Sequence, residues 1–168
     1  MKKLLLILLL AMISSTYAES YGSKYSSIYE KDCKLIELID VGGSSHSVCP
    51  SFGKFGVEVY AGDLREAVFI NRNGREYPLN SWTTGFSELG SVIEWRYKKG
   101  KSRKVVGVIF RLNVNDHPTD PSKTTSYLYV NKITPGEICL VGIIKPQTDQ
   151  NIKARELADK APSLPCIE

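Results

Sequence analysis

The chain has 168 residues, a formal net charge of +4, 42% hydrophobic residues and 24% charged ones. That is one ordinary domain with length enough for a core, and it excludes a disordered or fibrous chain. The charge is too small to make an electrostatic case for nucleic acid.

Residues 1–18 read as an export signal. Lys2 and Lys3 precede ten consecutive apolar residues, 4–13, and then Ser14, Ser15 and Thr16. Thr16 and Ala18 occupy the small-residue positions of a cleavage site. Ten apolar residues cover about 15 Å as a helix, half of a bilayer core, so a membrane-spanning anchor is not expected. Lys2 and Lys3 are the segment's only charges, so its removal lowers the net charge from +4 to +2. The expected location is the periplasm or the exterior, soluble after cleavage near Ala18.

Four cysteines remain: Cys33, Cys49, Cys139 and Cys166. An even count in an oxidising compartment implies disulfides. Three pairings are open, and Cys33–Cys49 with Cys139–Cys166 is expected because each joins neighbouring elements. Without a Cys-x-x-Cys, neither a redox motif nor a zinc knuckle is supported.

Residues 19–31 carry Tyr21, Tyr25 and Tyr29 at helical spacing, but Gly22 and nearby serines favour a partly ordered N-terminal arm. A single globular domain is expected over 32–168. Strands are expected at 33–39 and 46–50, joined by a flexible turn at 41–45 and clamped by the first disulfide. Two more follow at 56–61 and 64–71, with Gly62-Asp63 as their turn. Asn73-Gly74 is the strongest turn signal, suited to the positive φ angles of a type I′ hairpin. Residues 91–98 alternate, with Ile93, Trp95 and Tyr97 on one face and Val92, Glu94, Arg96 and Lys98 on the other. Residues 104–114 place Val106, Val108, Phe110, Leu112 and Val114 on one face, and Val105, Gly107, Ile109 and Arg111 on the other. After a polar loop at 115–124 come strands at 127–134 and 137–145, joined at Pro135-Gly136. The last is apolar on both faces and needs cover on each. Helix period appears once, in Ala154, Leu157, Ala158 and Ala161, with Thr148 or Asp149 as cap and Pro162 as stop. The expected fold is mainly β (α+β). It is an antiparallel sheet, able to curl toward a barrel, with one C-terminal helix packed on it and two disulfides.

Arg96, Lys98, Lys99, Lys101, Arg103 and Lys104 put six basic residues in nine around a hairpin tip. Such a tip either holds an anionic ligand or is a solvated end whose charge keeps other edges away. Parity places Glu94 and Arg111 on one face, within reach as an ion pair that is either structural or part of a polar cleft. Asp63 and Arg65 have the same two readings. His46 and His117 have no metal-ligand spacing, and Asp116-His117 with Asp120 fits a proline-rich loop better than a metal site. No Gly-x-Ser-x-Gly, His-Glu-x-x-His or phosphate-cradling loop is present. No cofactor, metal or catalytic set is therefore assigned.

Several short motifs run in order through most of 33–166: Cys33, Cys49-Pro50, Asp63-Leu64-Arg65, Glu94-Trp95-Arg96, Ile109-Phe110-Arg111, Cys139, the run from Ala154 to Asp159, and Cys166. In them the chain resembles a family of exported proteobacterial proteins with two disulfides and no assigned activity. The resemblance implies compartment and architecture, and no chemistry. Small periplasmic lysozyme inhibitors are a looser comparison in size and disulfides, without their Ser-Gly-x-x-Tyr signature. The leading expectation is a non-catalytic periplasmic module that binds a protein or an anionic envelope component. The alternatives are an envelope hydrolase with dispersed site residues and a secreted protein inhibitor.

Overall fold

The computed structural model describes residues 20–39, 43–117, 119–120 and 122–167. The expected export signal lies outside the described residues. Among these residues ten strands come first: β1 (Tyr21–Ser27), β2 (Lys34–Ile39), β3 (Ser44–Phe52), β4 (Phe55–Gly62), β5 (Arg65–Arg72), β6 (Arg75–Pro78), β7 (Ser87–Lys98), β8 (Lys104–Val114), β9 (Thr125–Ile133) and β10 (Ile138–Ile144). Helix α1 (Gln150–Lys160) follows, then a 3-10 turn at Ala161–Ser163 where Pro162 ends it. The strands form two antiparallel five-stranded sheets. Sheet A has the order β1-β7-β8-β9-β10 and sheet B the order β2-β3-β4-β5-β6. A barrel is therefore not formed; the sheets face each other as separate layers.

The main core lies between them. Phe55, Val57, Val68 and Ile70 of sheet B meet Ile93, Trp95, Val108, Phe110 and Leu112 of sheet A. Trp95 is wholly buried, its indole donates to Ser26 Oγ at 2.8 Å, and its ring lies 5.2 Å from Phe52 and 5.8 Å from Phe55. Ser26 belongs to β1, which pairs with β7 along its whole length. The segment expected as an arm is therefore an edge strand of sheet A. Its serines and glycine hid it, because an edge strand contributing hydroxyls and close approach shows no apolar alternation. Gly22 leaves room there for the Tyr97 ring, whose hydroxyl a Cβ would meet at 2.6 Å.

Two bulges correct the expected face assignments. The β7–β8 register slips between Arg96 and Tyr97, which turns Val105 into the inter-sheet core. The β9–β10 register slips between Leu140 and Gly142. Ile138 and Leu140 then face the inter-sheet core, Val141 and Ile144 face the helix, and Ile143 is exposed. Asn73 and Gly74 both have positive φ, as a type I′ turn requires, whereas the preceding hairpin turns at Asp63-Leu64, one residue later than expected.

Helix α1 covers the outer face of sheet A. Its buried stripe is mostly alanine, with Ala154, Ala158 and Ala161 on Ile109, Leu128 and Val130. Small side chains let the helix sit close, and Gly142 leaves the space that Leu157 fills, since a Cβ there would come within 2.5 Å of it. Asp149 holds the N-cap position with its carboxylate turned to Lys153 Nζ at 3.4 Å. Both disulfides pair as expected, Cys33–Cys49 and Cys139–Cys166.

Charged residues complete this layer. Glu94 accepts from Arg155 Nε (2.7 Å) and Nη2 (3.1 Å) and from Ser23 Oγ (2.5 Å). Arg96 forms a two-pronged pair with Asp159 at 2.9 and 2.7 Å. The expected Glu94–Arg111 pair is not made. Arg111 instead donates to Ser126 (2.8 Å) and Gln150 (3.2 Å). Parity was satisfied, but β7 bulges between Leu89 and Ile93, and the helix brings its own partners to each residue.

Candidate anion-binding cleft

At one end of the two-layer core the sheets part to form a cleft of about 750 Å³. Three turns frame it: Gly53-Lys54 between β3 and β4, Ser102–Lys104 at the end of the β7–β8 tip, and Thr134-Pro135 between β9 and β10. Its wall is apolar, from Phe52, Phe55, Val105 and Ile133. Its charges are Lys54, Arg72, Arg103 and Lys104, and no carboxylate lines it among the described residues. A cavity of this size with apolar walls and a few convergent polar groups is the ordinary form of a ligand pocket.

Arg72 is the informative residue. It is only 9% exposed. Its guanidinium donates to the Thr134 carbonyl (2.5 Å) and the Tyr77 hydroxyl (3.2 Å), and lies 5.1 Å from the Tyr77 ring centroid. Among the described residues it has no carboxylate partner. Buried charges are normally paired, because desolvation of a lone ion is costly. Arg103 lies over the Tyr97 ring at 5.5 Å and Lys54 over Phe55 at 5.8 Å, so two further cations rest on aromatic faces.

The basic tip is thus divided by the fold. Arg103 and Lys104 line the cleft, while Lys99 and Lys101 are exposed on the tip and do not line it. Lys98 faces Lys104 across the hairpin. Arg96 is a correction: it is buried under α1 and held by Asp159 and Ser23, so it is no part of the tip surface. Lys54 and Arg72 were not legible as site residues, since they lie some 30 to 50 positions upstream. The signal available was only that each adjoins a turn.

The other candidates fall elsewhere. His46 Nε2 meets Glu58 at 2.8 Å, and no hydroxyl or thiol nucleophile bonds to His46 among the described residues. Asp116 accepts from Thr125 and Tyr127, and Asp120 from Ser122, so their carboxylates serve the 115–124 loop. The Thr125 and Tyr127 hydroxyls hold the Asp116 carboxyl below its ordinary pKa. Glu137 approaches Cys139 and Cys166, whose sulfurs are bonded to each other and offer no thiolate to a metal. No helix among the described residues is long and apolar enough to cross a membrane. Comparisons with protein-family models, with curated proteins and with solved structures returned no match.

Proposed function

We propose that the protein is a non-catalytic, exported binding module whose cleft holds an anionic amphiphile of the cell envelope. The observation that carries this is the buried Arg72 guanidinium in a cleft with three more cations and, among the described residues, neither a carboxylate partner nor an acid in the lining. A phosphate or carboxylate entering there supplies the missing counter-charge, and Arg is suited to grip it with two N–H donors. The apolar wall of Phe52, Phe55 and Ile133 suits the ligand's hydrocarbon part. Two disulfides and the signal-like segment at 1–18 support an oxidising destination outside the cytoplasm.

The test is titration with short-chain phosphatidylglycerol below its micelle concentration, followed by calorimetry at two salt concentrations. Wild-type affinity is expected to fall with salt, because the rim charges are screened over about 8–10 Å. Arg103→Ser with Lys104→Ser is expected to weaken binding about tenfold or more, equivalent to ~1.4 kcal/mol. Lys99→Ser with Lys101→Ser is expected to leave it unchanged. Equal affinity in all three proteins, or no binding by wild type, would refute the assignment.

A further inference from the structure

At the opposite end of the β3–β4 hairpin lies a second hollow, of about 550 Å³. It opens on sheet B, which no helix covers among the described residues, and Tyr60 and His46 stand there on the face opposite Val57. Their rings stack at 4.3 Å with 2° between planes, and Phe69 meets Tyr60 edge-on at 4.9 Å. Trp82 forms the other wall and is 55% exposed.

An exposed tryptophan on a mobile loop would mean little, but this one sits between fixed points. Asn80 accepts from Val68 N (3.0 Å) and donates to the Glu66 carbonyl (3.1 Å). Arg65 donates to the carbonyls of Thr83 (2.8 Å) and Thr84 (3.2 Å) and to the Asp63 carboxylate. The chain on both sides of Trp82 is thereby pinned, and the indole stands exposed at the hollow.

The adjoining turn fixes one rim of the hollow. Asp63 has φ 50° and Leu64 φ 56°, a left-handed pair with no glycine. Aspartate tolerates that region, but leucine does so only when its surroundings impose it. The two-residue β4–β5 hairpin imposes it, since Gly62 pairs with Arg65 and a type I′ turn needs positive φ at both central residues. Ser87 N–H on the Leu64 carbonyl (3.0 Å) and Arg65 on the Asp63 carbonyl fix this turn, and with it Asp63, at the rim of the hollow.

The lining chemistry selects the ligand class. Glu37 and Asp63 oppose an anion, and Arg65 opposes a cation. Deeper in, Glu58 is buried. Burial alone would raise its pKa, but hydrogen bonds from Asn71 and His46 outweigh that and keep it ionised below its ordinary value. Burial, with Glu76 and Glu58 nearby, pushes the Tyr60 hydroxyl up to about 12, so it remains a neutral donor. Carboxylate acceptors, guanidinium donors and the hydroxyls of Ser44 and Thr83 together match groups that both donate and accept. Sugar hydroxyls do so, and the C–H face of a pyranose ring stacks on an indole.

We propose that this hollow binds one pyranose ring of a neutral oligosaccharide, stacked on Trp82, with its hydroxyls on Glu37, Asp63 and Arg65. It is independent of the cationic cleft, and either site can fail without the other.

Indole N–H resonances give a direct test. Trp95 is buried and bonded to Ser26, whereas Trp82 faces solvent, so the two indole signals serve as reference and reporter. Chitotriose and maltotriose are titrated separately into the full chain. The Trp82 signal is expected to shift in a saturable manner with at least one sugar while the Trp95 signal stays still. A response to chitotriose alone assigns an N-acetylated ring. Trp82→Ala and Glu37→Gln, both at surface positions, are expected to weaken binding about tenfold and several-fold, read from the His46 ring signals. No Trp82 shift with either sugar up to about 10 mM overturns the proposal. So does unaltered affinity in Trp82→Ala.

Discussion

Glu94→Ala tests whether α1 is held on sheet A by charge rather than by apolar area. The Glu94 side chain is 11% exposed and has Arg155, Ser23 and, at 3.8 Å, Arg96 around it. Breaking a buried pair by removing one partner usually costs about 3–5 kcal/mol, much of it from the charge left behind. Here the abandoned groups differ. Arg96 keeps its two bonds to Asp159, and Arg155, with a side chain 39% exposed, can turn to water. That places the loss nearer ~2–4 kcal/mol, mostly from the lost charged hydrogen bonds. Arg155→Ala also removes three hydrogen bonds, two to Glu94 and one to the Tyr25 hydroxyl, but it takes away the more exposed partner and leaves Glu94 with Ser23 and Arg96, so its cost should be about 1–2 kcal/mol. The double variant should cost less than the two singles together, because the pair is shared. Urea melts followed by far-UV circular dichroism supply all three numbers. A Glu94→Ala loss below about 1 kcal/mol, or a larger loss for Arg155→Ala, would refute the reasoning.

Trp95→Ala should cost about 3–5 kcal/mol, the range for emptying a fully buried large aromatic. A loss below about 1 kcal/mol in the same melts would contradict its place between Phe52 and Phe55. Glu66 tests linkage to pH: burial raises its pKa, assisted by Glu88 and Glu30, although the Leu89 N–H works the other way. A carboxyl whose folded pKa is raised favours the native state at low pH and disfavours it as pH rises through the folded value. Glu66→Gln keeps an acceptor for Leu89 N–H, so its Tm should exceed wild type at neutral pH. The gain should vanish below the ordinary value of 4.5. An advantage that persists in acid would sink this account.

Much of the fold was legible because its strands are amphipathic in the simple way. Ile93, Trp95 and Tyr97 alternate, Asn73-Gly74 turns, and the alanine stripe of α1 has a clean period. What could not be read was set by tertiary context. β1 carries almost no apolar signal and exists because β7 offers it a partner edge. The bulges at Val105-Val106 and Val141 reverse parity where consecutive residues are apolar, so no pattern breaks there in the sequence. The Glu94–Arg111 pairing followed from parity but ignored the helix that supplies nearer partners. The site was half legible for a similar reason. Arg103 and Lys104 stand in a conspicuous basic run, whereas Lys54 and Arg72 join them only when the two sheets are stacked.

Sheet edges are where such a molecule opens first, and the two disulfides fall at edges. Cys33 directly precedes β2, the outermost strand of sheet B, and ties it to its neighbour β3 at Cys49. Cys139 lies in β10, the outermost strand of sheet A, and ties it to the chain's last residues, where Ile167 N–H reaches the Leu140 carbonyl at 2.9 Å. Leu35, Ile36 and Leu38 on β2 are all more than half exposed, a strand able to recruit foreign strands if it peels away. The cross-link confines that peeling to the far end of β2. The uncrossed edges are guarded by other means: β6 is four residues long with Arg75, Glu76 and Pro78, and β1 carries Lys24. A reduced chain would therefore keep its central layers and lose the discipline of its margins, becoming sticky before it becomes unfolded.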